Sequence, residues 1–201
     1  MLLAAGSNLK EAKVVMLGST TVGKSSIVTM LTRGSFSESC ASTIGAAFLS
    51  KTINLGDQEL KLQIWDTGGS ERYRAMAPMY FQNANAAIIV YDITSSTSYN
   101  DVESWLKELR EKGPASIIIA LAGNKSDLDQ QRCVATEDAQ SFAQKHGIPI
   151  FKETSALKGI NIQEIFTDVA VAIARGAVST APAEQVTLTE SNPKDKKKKC
   201  C

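Results

Sequence analysis

The sequence has little of several residue types on which common kinds of site depend. Its 201 residues contain a single histidine, His146, so any Ser-His or Cys-His catalytic pair would have to use that residue. The four cysteines are Cys40, Cys133 and the adjacent Cys200 and Cys201, a spacing that fits neither a zinc site nor a disulfide framework. The longest apolar runs have six residues, whereas a membrane-spanning helix needs about 20.

An excess of charge of one sign is also absent from most of the chain. There are 22 Lys and Arg against 21 Asp and Glu, a formal net charge of +1, which does not favour a nucleic-acid-binding protein. Positive charge is concentrated at the C-terminus, where residues 194–199 hold five lysines and one aspartate. The composition predicts one mildly acidic domain followed by a short basic tail, with no nucleic-acid partner.

Apolar runs alternate with helical patterns along the chain. Continuous apolar runs at Lys13–Leu17, Ala86–Asp92 and Ile117–Gly123 are typical of strands that are covered on both faces. Phe48–Leu55 and Leu60–Trp65 flank a Gly-Asp turn, which predicts an antiparallel hairpin. A short strand at 149–152 and helices at 24–32, 99–112, 136–146 and 165–173 complete the pattern. These elements predict an α/β fold, a mostly parallel six-stranded sheet with helices on both faces.

The domain boundaries follow from where this pattern begins and ends. Residues 1–10 are predicted to be an N-terminal extension, residues 11–175 a single domain, and residues 176–201 a flexible tail. Asn161, with Glu164 three residues later, resembles a capping box before the last helix. The Gly-rich loop at 34–45 and the mixed-charge loop at 66–79 are predicted to be mobile.

A phosphate-binding motif lies between the first strand and the first helix. Residues 18–25 match the pattern G-x-x-x-x-G-K-[ST], in which backbone N–H groups and a helix N-terminus hold a phosphate. Lys24 is expected to bridge the β- and γ-phosphates, and Ser25 to give one oxygen to Mg²⁺. The residues expected at the phosphates are Ser19, Thr20, Thr21, Val22, Gly23, Lys24, Ser25 and Ser26. The alternative is a chance Gly-Lys-Ser turn, and the loop alone leaves both GTP and an ATP-using kinase open.

Two further motifs follow the later strands and indicate guanine. Asp127, in Asn124-Lys125-Ser126-Asp127, can accept hydrogen bonds from the N1–H and exocyclic amine of guanine, whereas adenine would leave this carboxylate unpaired. Lys125 can lie across the purine face, and Thr154-Ser155-Ala156 can present a backbone N–H to the guanine oxygen. Alone, the first motif is usually a turn and the second a helix entrance. Their order after successive strands favours GTP and argues against the kinase.

Taken in order, the phosphate loop, Asp66-Thr67-Gly68-Gly69, Asn124–Asp127 and Thr154–Ala156 resemble the motifs of the Ras superfamily of small GTPases. The resemblance covers about residues 11–175. Trp65-Asp66-Thr67 and the C-terminal cysteine pair are similar to the Rab family, and the segments Ser-Thr-Ile-Gly-Ala-Ala-Phe-Leu at 42–49 and Ala-Pro-Met-Tyr at 77–80 are most similar to its endosomal Rab five branch. The resemblance implies a P-loop GTPase domain, a monomer that switches between GTP- and GDP-bound states.

The resemblance also implies roles for individual residues. Thr43 is expected to ligate Mg²⁺ when the γ-phosphate is present, Asp66 to hold the Mg²⁺ shell, and Gly69 to contact the γ-phosphate through its N–H. Phe36 is expected to pack against the guanine. The other residues expected at the base are Leu128, Ser155, Ala156 and Leu157. The aromatic residues expected to face effector proteins are Phe48, Trp65 and Tyr80, for which ordinary core packing is the alternative.

One position departs from the family pattern. Most relatives read Asp-Thr-Ala-Gly-Gln-Glu, but this chain reads Asp-Thr-Gly-Gly-Ser-Glu at 66–71, so Ser70 replaces the glutamine that orients the attacking water. The expected catalytic residues are Lys24, Gly69 and Ser70. Because serine is short and lacks an amide, slow intrinsic hydrolysis is expected, with an activating protein supplying the missing groups. The alternative is that Ser70 places the water adequately, directly or through a second water.

The expected tail chemistry and partners come from the same resemblance. Rab proteins that end in Cys-Cys are prenylated on both cysteines, so Cys200 and Cys201 are expected to anchor the chain to a membrane together with the lysines before them. The alternative is a basic terminus that is simply solvated. The expected partners are effector proteins, an exchange factor, a GTPase-activating protein, a GDP-dissociation inhibitor and a prenylation escort.

The expected location is the cytoplasmic face of early endosomes and endocytic membranes, with a cytosolic pool. There the switch would act in endocytic vesicle trafficking and early endosome fusion. The competing function is a GTP-bound scaffold with negligible hydrolysis, and Ser70 is the residue that favours it.

Overall fold

The computed structural model describes residues 10–37, 43–70, 74 and 76–179, with side chains as far as residue 176. The centre of this described part is a six-stranded sheet in the order β2-β3-β1-β4-β5-β6. The strands are β1 Lys10–Leu17, β2 Ala46–Asn54, β3 Glu59–Thr67, β4 Ala86–Asp92, β5 Ile118–Asn124 and β6 Ile150–Glu153. β2 and β3 form the antiparallel hairpin, and every other neighbouring pair is parallel. The prediction of a mostly parallel six-stranded sheet is confirmed.

Helices connect the strands, and their ends carry recognisable signals. The α-helices are α1 Lys24–Arg33, α2 Ala77–Phe81, α3 Ser96–Lys112, α4 Thr136–Lys145 and α5 Ile162–Ser179, and a 3₁₀-helix spans Ser126–Gln131. α1 ends at Gly34, whose φ of 66° gives the left-handed conformation that commonly terminates helices. Ser95 caps α3, because its hydroxyl oxygen accepts the Ser98 N–H at 3.2 Å.

The helices cover both faces of the sheet because successive side chains of a strand point to opposite faces. In β1, Val14 and Met16 join the core packed against α1 and α5, whereas Val15 and Leu17 join the core packed against α3 and α4. All four side chains are fully buried. This burial on both faces is why the central strands have continuous apolar sequences.

The structure moves two predicted boundaries. β1 begins at Lys10, which pairs with Leu60 of β3, so the last residue of the predicted N-terminal extension belongs to the sheet. α5 continues to Ser179, so residues 176–179 are helical where the sequence predicted tail, because alanines favour helix on both sides of Gly176. Residues 1–9, the rest of the tail with Cys200 and Cys201, and residues 38–42, 71–73 and 75 of the two loops lie outside the described residues. Within the described ranges, no helix combines the length and apolar character needed to cross a membrane.

Candidate nucleotide site

The predicted motifs meet at one edge of the sheet. The parallel strands β1, β3, β5 and β6 end there, and the loops at 18–23, 68–70, 125–127 and 154–157 follow them. The carboxyl edge of a parallel sheet is where α/β proteins bind their ligands. A cavity of about 330 Å³ opens at this edge.

The phosphate loop wraps around the side chain of Lys24. This lysine is only 5% exposed, and its Nζ donates to the carbonyls of Gly18 and Ser19, both at 2.8 Å. Burial lowers the pKa of Lys24 to about 8, against the opposing effect of the Asp66 carboxylate. These two backbone acceptors hold the ammonium group at the loop.

Positive φ angles give the loop its shape. Gly18 has φ of 131°, and a Cβ there would lie 2.1 Å from the Val90 carbonyl oxygen, so glycine is required. Gly23 has φ of 96°, and Thr21 has φ of 63°, which is unusual for a β-branched residue. Of the other predicted phosphate-loop residues, Thr20 is exposed, Val22 is buried, and Ser26 lines the cavity together with Thr21 and Gly23.

Three side-chain oxygens converge beside the loop, and they belong to the three residues predicted to hold Mg²⁺. Ser25 Oγ donates to Asp66 Oδ2 at 2.5 Å and lies 2.8 Å from Thr43 Oγ1. Asp66 Oδ1 is buried and has no hydrogen-bond partner among the described residues. Burial raises the pKa of Asp66, while the bond from Ser25, the charge of Lys24 and the bond from Thr43 lower it. Oxygen donors with an unpaired carboxylate oxygen fit a hard cation such as Mg²⁺.

Gly69 lies against the phosphate loop. A Cβ on Gly69 would be 2.5 Å from the Ser19 carbonyl oxygen and 2.6 Å from Lys24 Nζ, so the close approach depends on glycine. Ser70 comes next, is half-buried, and accepts the Arg74 N–H at its carbonyl oxygen at 3.0 Å. The structure therefore brings the predicted catalytic residues Lys24 and Gly69 together, and Ser70 follows Gly69 in the chain.

The residues predicted to hold the base line the cavity, with the exception of Ser155, which is fully buried. Phe36 and Leu157 are 37% and 49% exposed, which leaves apolar surface available to an aromatic ring. The cavity is lined by Thr21, Gly23, Ser26, Phe36, Asn124, Lys125, Asp127, Leu128, Ala156 and Leu157.

Asn124 joins two loops of the site. Its Nδ2 donates to the Val22 carbonyl at 2.8 Å, and its Oδ1 accepts from Thr154 Oγ1 and from the Ala156 N–H, both at 3.2 Å. Asn124 is 2% exposed, so these bonds are shielded from water. The side chain therefore connects the phosphate loop to the loop after β6.

Two charged residues of the base motif are held by neighbours. Lys125 Nζ pairs with Asp92 Oδ2 at 2.5 Å, so its ammonium group is anchored while the residue lines the cavity. Ser155 Oγ donates to Asp127 Oδ1, which orients that carboxylate. Both contacts fix the positions of groups that the sequence predicted to contact the purine.

The backbone N–H groups of Thr154-Ser155-Ala156, one of which was expected to contact the guanine oxygen, all have acceptors within the protein. The three N–H groups donate to the Gly123 carbonyl, the Ile160 carbonyl and Asn124 Oδ1 respectively. The physical reason is the turn after β6, which folds back so that Ser155 and Ile160 exchange two hydrogen bonds. A guanine oxygen would have to share the Ala156 N–H, whose existing bond is 3.2 Å long.

The three aromatic residues predicted to face effectors form one cluster. The Phe48 and Trp65 rings are 5.7 Å apart edge-on, and the Trp65 and Tyr80 rings are 5.9 Å apart. Phe48 is 56% exposed, and nearby positions on the chain, Ile44 and Met79, are 83% and 71% exposed. Core packing accounts for Trp65 and Tyr80, which are partly buried against the core, but not for Phe48, which remains at the surface.

Sequence reasoning missed three charged residues near the site. Asp92 holds Lys125, Asp101 of α3 accepts a hydrogen bond from Ser19 Oγ at 2.6 Å, and Arg74 packs on α3. Asp92 had a usable signal, because it ends an apolar strand at the carboxyl edge of the sheet. The other two make contacts between distant parts of the chain that no local pattern indicates.

Comparison with known proteins agrees with this geometry. A family model described as the Ras family matches residues 13–175. Ras-related protein Rab-5A of Dictyostelium discoideum is 44% identical over 193 residues, 95% of this chain and 96% of that protein. Ras-related protein RABF2b of Arabidopsis thaliana is 42% identical, and Ras-related protein RHN1 of Nicotiana plumbaginifolia 41% identical, each over 198 residues and 98% of both chains. The chain belongs to the Ras family, is similar to its Rab5-type members, and is a small GTPase that binds guanine nucleotides and hydrolyses GTP.

Proposed function

We propose that the chain is a Mg²⁺-dependent molecular switch that binds GTP with its base at Asp127 and its γ-phosphate at Lys24 and Gly69. The observation that carries this proposal is a cavity that Asp127 of the base motif shares with Thr21 and Gly23 of the phosphate loop. Its lining runs from Asp127 and Leu128 to Gly23, the residue before Lys24. One nucleotide can therefore reach both a base-reading carboxylate and a buried ammonium group.

Asp127 supplies the selectivity for guanine in this proposal. Ser155 occupies one acceptor position on Oδ1, and the carboxylate keeps further acceptor positions for the N1–H and the amine of the base. The side chain of Lys125, whose ammonium group pairs with Asp92, covers one face of the purine. Phe36, which also lines the cavity, provides a further apolar contact for the base. Adenine lacks both donors and would leave a carboxylate desolvated and unpaired, which is costly.

Ser25, Thr43 and Asp66 are the residues that would hold Mg²⁺. Their oxygens converge, and the unpaired Asp66 Oδ1 is the acceptor that this cation, directly or through its water, would satisfy. The cation would neutralise charge on the phosphate oxygens. The Lys24 ammonium group, which interacts electrostatically with the Asp66 carboxylate, contributes a second positive charge.

Turnover converts GTP and water to GDP and phosphate. The Lys24 ammonium stabilises negative charge at the phosphates, and the Gly69 N–H contacts the γ-phosphate. Ser70 stands where a water-orienting amide is expected, but its side chain is shorter than that of glutamine and has one hydroxyl in place of an amide with separate donor and acceptor atoms. We therefore expect slow intrinsic hydrolysis and a long-lived GTP-bound state.

The test is single-turnover GTP hydrolysis by the wild type and by Ser70→Gln. We expect the glutamine variant to be faster by roughly tenfold, because it restores the group that orients water. Ser141→Gln on the exposed surface of α4 is the matched control, and its rate should equal that of the wild type. Equal rates for the wild type and Ser70→Gln would refute slow hydrolysis caused by Ser70.

The second candidate is a GTP-bound scaffold with negligible hydrolysis, which the substitution at Ser70 favours. Nucleotide analysis after incubation with a Rab-type activating protein separates the two. Conversion of the bound nucleotide to GDP supports the switch. Retention of GTP for as long as the protein stays folded supports the scaffold.

Effector proteins are proposed to bind at the aromatic cluster. Phe48, Trp65 and Tyr80 contact one another, and Phe48 remains largely exposed. Trp65 directly precedes Asp66 in β3 and pairs with Phe48 of β2, so the cluster begins one residue from the proposed metal site. An exchange factor, an activating protein, a GDP-dissociation inhibitor and a prenylation escort complete the proposed partners, with the domain acting as a monomer.

Membrane attachment is proposed to occur through prenyl groups on Cys200 and Cys201, supported by the preceding lysines. The similarity to the endosomal Rab branch supports early endosomes and endocytic vesicles as the location, with a cytosolic pool. Cell fractionation of the full chain and of Cys200→Ser/Cys201→Ser tests the attachment. The double variant should lose membrane association, and unchanged association would rule out lipidation as the anchor.

A further inference from the structure

A side chain of helix α3 reaches the phosphate loop and fixes its second residue. Ser19 Oγ donates to Asp101 Oδ2 at 2.6 Å, joining positions 82 residues apart in the chain. Asp101 lies in the second turn of α3 and is half-buried, so the bond is partly shielded from water. A hydrogen bond to a charged acceptor is stronger than one between neutral groups.

Ser19 is also the residue at which two catalytic elements meet. Its carbonyl oxygen accepts from Lys24 Nζ at 2.8 Å. The same carbonyl oxygen would lie 2.5 Å from a Cβ on Gly69. A shift of the Ser19 backbone would therefore displace both the ammonium group and the glycine that are proposed to hold the γ-phosphate.

The same helix holds the other side of the Gly69 segment. Ser104 Oγ donates to the Asp101 carbonyl at 2.8 Å and accepts from Arg74 Nη2 at 2.6 Å. The Arg74 guanidinium lies 4.2 Å from the centre of the Trp105 ring and 3.4 Å from Glu108. The backbone N–H of Arg74 donates to the Ser70 carbonyl. Helix α3 therefore contacts the phosphate loop through Asp101 and the segment that follows Gly69 through Arg74.

We propose that Asp101 is a positioning residue that favours GTP over GDP. By holding Ser19, it fixes the carbonyl at which Lys24 and Gly69 meet. This proposal rests on the proposed placement of the γ-phosphate at those two residues. GDP lacks that phosphate, so its affinity depends much less on the exact position of Gly69.

The charge of Asp101 would have an effect of the opposite sign. A carboxylate close to a polyphosphate repels it, so removing the charge alone would strengthen binding, most of all for the more highly charged GTP. Asparagine removes the charge but keeps a side-chain oxygen that accepts from Ser19, whereas alanine removes both. The two substitutions therefore separate positioning from repulsion.

The experiment measures affinities for GDP and for a non-hydrolysable GTP analogue with Mg²⁺, using full-length Asp101→Ala, Asp101→Asn, Ser19→Ala and the double alanine variant. We expect either alanine variant to weaken analogue binding by roughly fivefold and GDP binding by less than twofold. The double variant should match Asp101→Ala, because the hydrogen bond from Ser19 is already lost once the carboxylate is removed. Asp101→Asn should restore most of the preference for GTP, and Glu103→Ala, an exposed charge on the same helix, should change neither affinity.

Several results would overturn the proposal. Equal losses for both nucleotides, together with a lower melting temperature of the nucleotide-free protein, would assign Asp101 a purely structural role. Tighter analogue binding by both Asp101→Ala and Asp101→Asn would assign it repulsion only. Additive effects in the double variant, or no effect at all, would also refute it. If the wild type binds neither nucleotide, the proposed function itself fails, which is distinguishable from wild-type binding that Asp101 does not influence.

Discussion

The base end and the phosphate end of the candidate site differ in which of their polar groups the protein satisfies by itself. At the base end, Asn124, Thr154 and Ser155 are at most 2% exposed, and Asn124 alone makes three hydrogen bonds within the protein. At the phosphate end, Asp66 keeps a buried oxygen with no partner among the residues described. Lys24 is buried there at the cost of a lowered pKa.

This difference indicates separate tasks for the two ends. The hydrogen bonds around Asn124 are complete, so this network is rigid and holds the base end in one geometry, although Ser126 Oγ beside it is buried without a partner among the described residues. A buried, unpaired oxygen costs free energy until a ligand or cation satisfies it, so the phosphate end gains most from occupancy. Changes at the base end should affect GTP and GDP alike, and changes at Gly69 should separate them.

The largest expected effect is that of Asp127→Asn at the base end. The asparagine amide would place a donor against the donors of guanine, so affinities for GTP and GDP should both fall by roughly 10³- to 10⁴-fold. Xanthosine triphosphate carries a carbonyl in place of the amine, so it should bind Asp127→Asn more tightly than it binds the wild type. Competition titration measures both changes.

Asp129→Asn is the control for that substitution, since Asp129 is an exposed neighbour paired with Arg132 at the surface. An exposed pair of this kind contributes little, so both affinities should change by less than about twofold. Retention of GTP affinity by Asp127→Asn would remove the base end from the account.

Asn124→Ala should have the next largest effect and should also act on both nucleotides. It leaves the Val22 carbonyl and the Thr154 hydroxyl buried without their partner, a loss of about 2 to 4 kcal/mol in the free energy of unfolding. The melting temperature should fall by roughly 5 to 15 °C, as measured by calorimetry. Asn54→Ala, at an exposed turn, should shift it by far less. A stable Asn124→Ala variant with normal affinity would contradict a preorganised base end.

Gly69→Ala should separate the nucleotides, because its Cβ would collide with Ser19 and Lys24. Overpacking of this kind costs about 1 to 3 kcal/mol, so the GTP analogue should bind roughly tenfold or more weakly while GDP changes little. At Gly176, a Cβ would meet no described atom within 4 Å, so Gly176→Ala should raise helix stability and leave both affinities unchanged. Equal losses for both nucleotides in Gly69→Ala would erase the distinction between the two ends.

The fold could be predicted from the sequence where burial or a turn leaves a local pattern. The apolar run at Ala86–Asp92 is a strand with those same bounds, and the hairpin around Gly56 forms as expected. The prediction of a capping box before α5 was wrong, because Asn161 has a φ of 56°, whereas an N-cap residue is normally extended. Its side chain instead donates to the Glu153 carbonyl at 2.7 Å, a contact set by the turn after β6.

The candidate site could be predicted where one short segment carries the chemistry. The loop at 18–25 and Asp127 lie at the carboxyl edge of the sheet because strand order and direction place them there. Pairings between distant segments, such as Ser19 with Asp101, depend on how α3 packs against the phosphate loop. Such packing is a property of the whole fold, so no spacing rule within the sequence reports it.

The most direct test of the central claim is a calorimetric titration of the nucleotide-free full chain with GTP, GDP and ATP, with Mg²⁺ and after its removal by a chelator. We predict one GTP or GDP bound per chain, weaker GTP binding without Mg²⁺, and ATP binding weaker than GTP by at least roughly 10³-fold. Equal affinities for ATP and GTP, or no nucleotide uptake by folded protein, would contradict the account.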